Sequence, residues 1–530
     1  AVLYQNQEEL PNELEFDFII AGGGLAGSVV AFRLGEVPNW KILVVGAGPS
    51  NEEIFNTRVP GLWYTLMGSS IDWNYTVVPQ KGLEGRSLLY SRAKVLGDTM
   101  LYTRGSRDDW DRWAEMTGGD WLKWKNVLPY ILKDNHYDPT VHSRDGKVAV
   151  SAPYTPHPFN DMLLQSVNEL SEEFPFDLDY NDGRPIGIGK LSLIYSWKQS
   201  TVDHRGERSS AATTYLSMTD DNVHVPLNTH VTQLVQNDST WDVKFKTLTA
   251  KKEVIVSGGS IGTPHILLNS GIGDSKELEA IGIKTILDSP SVGKNLSDHI
   301  GSFDLKGALD HWKTNRTGPL TQPQPIAQIA FTRLPANTSL FKDGGVQDPA
   351  PGMNAPHIEI AVDSISQALE VFSINLHPVS RGFVTLNTSD PFSYPVVDFS
   401  LLSSQLDVSI IREGIRSARR LFSSPTFTSN NSVSGTVNPL PNVTSNADLD
   451  AYIRKNAIPL LHAVGTTSMS PRNATWGVVD PEFRVKGTMG LRVVDASVVP
   501  TVPSAHTQAP VYGIAERAST FIVVDWKTRA

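Results

Sequence analysis

Phe16-Asp17-Phe18-Ile19-Ile20-Ala21 followed by Gly22-Gly23-Gly24-Leu25-Ala26-Gly27 reads as a short buried strand running into a glycine turn. Ser28 to Leu34 continues in helical rhythm, and Lys41 to Val45 makes a second apolar strand. Together they form a strand–turn–helix–strand unit of roughly 30 residues, the size of a nucleotide-binding βαβ start. Gly22 allows the tight turn, Gly24 lets backbone approach a pyrophosphate, and Gly27 lets helix and strand pack closely. The helix start then offers unpaired N–H groups and the positive end of its dipole to phosphates. A lone G-x-G-x-x-G is weak evidence, and a glycine turn without ligand is the alternative. The flanking strand and helix favour a dinucleotide site.

Such a site expects an acidic residue about 20 positions on, to hold the ribose hydroxyls. The second strand ends Val44-Val45-Gly46-Ala47-Gly48, so Gly46 stands where the carboxylate belongs. The missing hydrogen bonds would cost on the order of 1–3 kcal/mol, which weakens a nucleotide without abolishing it.

Similar short strands at Lys252–Ser257 and Leu491–Val494 are expected to join the same parallel sheet. Residues 311–355, rich in Pro, Asn, Thr and Gly, read as long loops. His357–Val362, Val371–His377 and Gly382–Leu386 look like strands of an antiparallel sheet, a second domain. Leu406–Phe422 has helical apolar spacing.

The 530 residues favour two or more domains. A net charge of −10 argues against nucleic-acid binding. No apolar run approaches the ~20 residues of a membrane helix. Cysteine is absent, which excludes disulfides, thiolate catalysis and Cys-based metal sites, and no other metal site is expected. Nine N-x-S/T sequons, at Asn74, Asn237, Asn295, Asn315, Asn337, Asn387, Asn430, Asn442 and Asn473, lean toward a secreted, extracellular protein carrying N-glycans. A start at Ala1 suits a processed chain and equally a trimmed one.

Gly259-Ser260-Ile261-Gly262-Thr263-Pro264-His265-Ile266-Leu267-Leu268-Asn269-Ser270-Gly271-Ile272-Gly273 reads as a small-residue turn, then a helix begun by Thr263-Pro264 and ended by Gly271. Position for position this stretch resembles the second signature of the glucose–methanol–choline (GMC) oxidoreductases. Pro290-Ser291-Val292-Gly293-Lys294-Asn295-Leu296-Ser297-Asp298, Asp72-Trp73-Asn74-Tyr75, Arg208-Ser209-Ser210 and Trp476-Gly477-Val478-Val479-Asp480-Pro481 extend the resemblance over nearly the whole chain. Tyr90-Ser91-Arg92-Ala93-Lys94 and Arg412–Ala418 resemble fungal pyranose dehydrogenases first and aryl-alcohol oxidases next.

The resemblance implies an α/β plus α+β fold. A Rossmann-like FAD-binding domain would be drawn from 1–60, 91–150, 206–310 and 451–530. An antiparallel-sheet substrate domain would come from 61–90, 151–205 and 311–450. It implies FAD as cofactor and a small sugar or alcohol as substrate. His506, in Ala-His-Thr-Gln-Ala-Pro, would take the hydroxyl proton while hydride leaves for the flavin. His462, in His-Ala-Val-Gly-Thr, would orient that hydroxyl. A histidine suits the work because its ordinary pKa of about 6.5 lets it accept a proton near neutrality. Gly22, Gly24, Gly27 and Asp495 would meet the cofactor, Asp495 beside the phosphates or ribityl chain. Val231 resembles the valine whose backbone meets adenine, an ordinary strand valine being the alternative. Asp495 has its own alternative, a helix N-cap.

The pattern breaks at Val95–Gly105, where the family's Gly-Gly-Ser-Ser loop is short and its flavin-linking histidine absent, so covalent attachment is not expected. Asp98 would bring negative charge toward phosphates. The stretches around Lys133–His142 and following Ala361–Glu370 also look short against the family. Relaxed selection on flavin binding and loop residues missing from the sequence as written both account for this. Three readings follow: a secreted FAD-dependent dehydrogenase or oxidase, a flavin-free and non-catalytic binding relative, and a flavin-dependent lyase.

Overall fold

The computed structural model describes residues 1–97, 101–133, 145–150, 158–177, 179–189, 201–237, 240–244, 248–302, 326–335, 337–342, 346–365, 368–429 and 443–529. Asp98, the rest of 98–100 and the stretch 134–142 lie outside them.

Parallel strands build the nucleotide layer in the order Val2–Tyr4, Val223–Pro226, Ile42–Val45, Phe16–Ala21 and Leu248–Val256, with Leu491–Val493 also paired to the last. Antiparallel strands Thr240–Lys244 and Gln233–Asn237 extend it. Consecutive residues of Ile42–Val45, which point to opposite faces, are all buried, as a sheet covered on both sides requires. Lys252–Ser257 and Leu491–Val494 therefore do join the sheet that starts at Phe16.

Register places the strand ends side by side. Ala21 pairs with Val45 and with Val256, and Val256 pairs with Val493. The turns that follow, at Gly22, Gly46, Ser257 and Val494, consequently share one edge. This is the crevice beyond the carboxyl ends of parallel strands where such sheets bind ligands. Gly22 takes φ +125°, and a Cβ there would stand 2.2 Å from the Ser257 carbonyl oxygen. At Gly27 a Cβ would stand 1.9 Å from the Gly22 oxygen, so only glycine lets the helix Leu25–Gly35 sit this close to its strand.

The helix after Val256 runs over Gly259–Asn269, beginning four residues before the expected Thr263. Pro264 lies inside it and cannot bond the Ser260 carbonyl one turn back. The Thr466 hydroxyl donates to that carbonyl at 2.7 Å, which removes the cost that would have ended the helix.

A seven-stranded sheet, mostly antiparallel, has the order Ala457–Pro459, Ile300–Ser302, Ala368–Asn375, Ile358–Ile365, Ile326–Thr332, Gly187–Gly189, Phe176–Asp177. Helix Gln405–Phe422 packs on it. The Ile326–Thr332 strand and the short helix Ser339–Lys342 lie within the stretch read as loops. Gly382–Thr385 belongs to a separate five-stranded sheet with Lys294–Leu296, Val396–Asp398, Tyr75–Gln80 and Arg86–Tyr90. Strands at 294–302 and 457–459, read from sequence as part of the nucleotide domain, thus pair into the second set of sheets.

Candidate active site

The shared edge of the parallel sheet opens into a crevice lined by Gly22–Ala26, Val45–Gly48, Arg92–Gly97, Ser257–Gly262 and the start of the helix Gln508–Thr528. A Cβ on Gly24, Gly259 or Gly262 would meet no protein atom within 4 Å, so bare backbone faces open space at each. Gln508 is 4% exposed and lines the crevice, yet neither its Nε2 nor its Oε1 has a partner. His265 Nε2, also buried in the lining, has none either, and burial pushes its pKa down to about 4. Buried polar atoms are nearly always bonded. Unbonded ones facing a glycine-lined crevice fit a polar ligand, and the glycine turn at a helix start fits a pyrophosphate. The residues present therefore fit FAD.

Val231 lines the crevice from the connection between Val223–Pro226 and Gln233–Asn237, so it is not a strand valine. Asp495 also lines it, but its carboxylate is occupied. One oxygen accepts from Gly259 N (2.9 Å) and Thr263 Oγ1 (2.5 Å), the other from the backbone and hydroxyl of Ser497. Asp495 caps Ala496–Val498 and ties the first turn of the helix Gly259–Asn269 to the last parallel strand. Gly46 supplies no side chain, and one placed there would press on Leu96 Cδ2 at 3.0 Å.

Beyond Gln508 the chain passes back to His506. The rings of His462 and His506 lie 4.5 Å apart, centre to centre, at 73°. Two separate elements bring them together. His506 precedes the last helix, with its backbone N–H on Thr103 Oγ1 at 2.7 Å. His462 follows the strand Ala457–Pro459, and its backbone N–H donates to Asp298 Oδ1 at 2.8 Å. Tyr90 donates to the other Asp298 oxygen at 2.7 Å and accepts from Ala463 N at 3.1 Å. Burial raises the Asp298 pKa to about 7 despite those bonds.

Each of these two rings has a buried partner that the sequence reading missed. His506 Nε2 lies 3.2 Å from Glu359 Oε1, on the strand Ile358–Ile365. His462 Nδ1 lies 2.9 Å from His299 Nδ1, and His299 Nε2 lies 2.9 Å from the Pro503 carbonyl. Burial, and next the charge of His506, hold His462 well below the ordinary histidine pKa and bring His299 down to about 3. His299 directly follows Asn295-Leu296-Ser297-Asp298 and was within reach of that motif. Glu359 carries no sequence signal, because only sheet pairing brings its strand to His506.

Family models described as GMC oxidoreductase match residues 16–301 and 378–515. A pyranose dehydrogenase of Agaricus campestris is 47% identical over 583 aligned positions, covering 98% of this chain and 96% of that protein. Pyranose dehydrogenase 3 of Leucoagaricus meleagris is 47% identical, covering 98% and 95%. Those alignments are longer than the 530-residue chain, so the relatives carry residues that it lacks. A formate oxidase of Aspergillus oryzae superposes with a TM-score of 0.83 at 27% identity, covering 98% of this chain and 100% of that one. A fungal aryl-alcohol oxidase shares the fold, with a TM-score of 0.77 at 23% identity over 97% and 99%. The chain is a member of the GMC oxidoreductase family.

Proposed function

We propose that the protein is an FAD-dependent oxidoreductase acting on a CH–OH group of a sugar, with simple alcohols as poorer substrates. The observation that carries this is the histidine couple His462–His506 beside a glycine-lined crevice with an unbonded Gln508 at its wall. The resemblance to pyranose dehydrogenases supports a sugar over an aryl alcohol. FAD, when bound, supplies a two-electron acceptor for the hydride of the carbinol carbon. Gly22, Gly24 and Gly27 would admit its pyrophosphate, Val231 its adenine and Gln508 its polar edge, with Asp495 holding the turn between them.

His506 takes the hydroxyl proton. Its Nε2 faces a carboxylate that is 1% exposed, so a positive charge formed on the ring is stabilised where little water reaches. His462 hydrogen-bonds the substrate from the other side. A flavin-free binding protein, the alternative, finds no support in this lining, and nothing favours a lyase. Anaerobic mixing with glucose and with an aryl alcohol tests the reading. Faster flavin bleaching by glucose is expected, and bleaching by the aryl alcohol alone would contradict it.

The two-domain division is proposed in outline as read from sequence, with 294–302 and 457–459 transferred to the substrate side. Secretion and N-glycosylation are proposed for Asn337, Asn387 and Asn473, which are exposed. Asn74 and Asn295 are excluded because their amides are bonded inside the fold: Asn74 to the Ser69 and Asp72 carbonyls, Asn295 to Ser468 Oγ and the Pro500 carbonyl. Among the described residues no helix is long and apolar enough to cross a membrane. Glycopeptide mapping that finds glycan on Asn74 or Asn295 would contradict the assignment.

A further inference from the structure

His265 stands on the second turn of the helix Gly259–Asn269, buried, in the crevice lining, with no partner for its Nε2. The connection that carries Val231 runs along the end of the same helix. Gln233 Nε2 donates to the Asn269 carbonyl at 2.9 Å, and Leu234 N donates to Ser270 Oγ at 2.8 Å. Asn269 in turn donates from its amide to the His265 carbonyl at 3.0 Å. His230, Val231 and His265 therefore share the end of the crevice assigned above to adenine.

That end has a wall of rings. Trp73 and His230 both line it, 5.3 Å apart between ring centres at 61°, and Phe392 packs on His230 at 6.1 Å and 74°. Aromatic rings of this kind suit the flat face of a base. Gly46, in the same lining, offers the nucleoside no side chain.

The edge of the base needs polar partners, and His265 can supply one. Its ring is uncharged at neutral pH, because burial and next the charge of His230 bring its pKa down to about 4. The ring hydrogen-bonds the Ser393 backbone, and that bond favours a proton on the ring, as a carbonyl accepting a ring N–H does. Nε2 has no partner in the protein, so the donor is Nδ1 and the one ring proton is used there. Nε2 is left as a buried lone pair, costly unless a ligand brings a donor to it. Adenine has one such group, its exocyclic amine, and its ring nitrogens only accept.

We propose that His265 recognises the base of the cofactor, its Nε2 accepting the adenine amino group and standing in for the ribose-binding carboxylate that Gly46 lacks. The crevice would thereby select adenine over 6-oxopurines, in which an oxygen replaces the amine. This rests on the FAD reading above and adds to it a residue and a base specificity.

Calorimetric titration of the full chain, freed of flavin, with FAD and with flavin hypoxanthine dinucleotide at pH 7.5 tests this without any turnover. The hypoxanthine oxygen would set a lone pair against the Nε2 lone pair, a mismatch that discriminates strongly. FAD is expected to bind about tenfold or more tightly. His265→Leu should bring the ratio toward unity by weakening FAD. His265→Gln, whose amide can turn to give or accept, should hold both dinucleotides with similar affinity. Equal affinities in the unmodified protein overturn the proposal, and so does a preference that persists in His265→Leu. The comparison in the unmodified protein decides the matter even where a variant fails to fold. Binding of neither dinucleotide overturns the FAD reading and this role with it, whereas binding without discrimination overturns the His265 role alone.

Discussion

Glu359 Oε1 stands 3.2 Å from His506 Nε2, with side-chain exposures of 1% and 12%. The carboxylate comes from the strand Ile358–Ile365 of the seven-stranded sheet and the imidazole from the loop before the last helix, so the pair joins two separate parts of the fold at the proposed reacting centre.

Removing the charge and keeping the shape should expose that role. Glu359→Gln is expected to lower kcat/KM for a sugar by up to about 10²-fold with Tm little changed, because the ring loses its compensating charge. Steady-state kinetics beside a thermal melt check this, and an unchanged rate removes Glu359 from the mechanism.

The glycine turn separates two effects that a sequence motif merges. Gly27→Ala pushes a Cβ to 1.9 Å from the Gly22 oxygen and should cost more than about 3 kcal/mol of stability. Gly24→Ala meets no protein atom within 4 Å and should leave stability nearly untouched while weakening FAD retention. Urea unfolding and FAD titration of both variants test the contrast. Equal stability losses would mean that Gly24 does not face a ligand.

Thr466→Val should cost about 1–3 kcal/mol, since it strips the Ser260 carbonyl of the one donor that replaces the missing Pro264 N–H. Denaturant unfolding measures it, and a cost below experimental error would refute this account of the helix.

Legibility in the sequence followed the range of the interaction. Gly22, Gly24 and Gly27 announce themselves because turn, phosphate approach and packing are all local demands on a backbone without Cβ. His462 and His506 were found through the motifs around them. The true helix start at Gly259 was hidden because Pro264 reads as a first-turn residue unless a distant hydroxyl satisfies the carbonyl it leaves unpaired, and Thr466 lies far along the chain. Gly382–Thr385 was correctly read as a strand, but its sheet was not, since partners at 294–296 and 396–398 are a matter of topology. Glu359 and the His299 contact to His462 are long-range pairings of the same kind.

Acid stability offers a single-residue check. Burial lowers the His265 pKa from 6.5 to about 4, so between those values the unfolded chain binds a proton that the folded chain refuses. Its contribution is nil above pH 6.5 and increasingly destabilising as pH falls toward 4. His265→Gln should therefore gain stability relative to the unmodified protein, by up to ~1.4 kcal/mol for each pH unit across that window. Parallel unfolding curves at pH 7, 6, 5 and 4 measure the difference, and one that does not grow with acid would contradict the burial of an uncharged ring.

Function here turns on a flavin in this crevice that a sugar reduces. An anaerobic absorbance spectrum of the purified protein, incubated with FAD and freed of excess, addresses it directly before and after glucose. The two visible bands of oxidised flavin are expected, bleached by the sugar in the unmodified protein and unbleached in His506→Ala. A colourless protein, or a yellow one that no sugar bleaches, would contradict it.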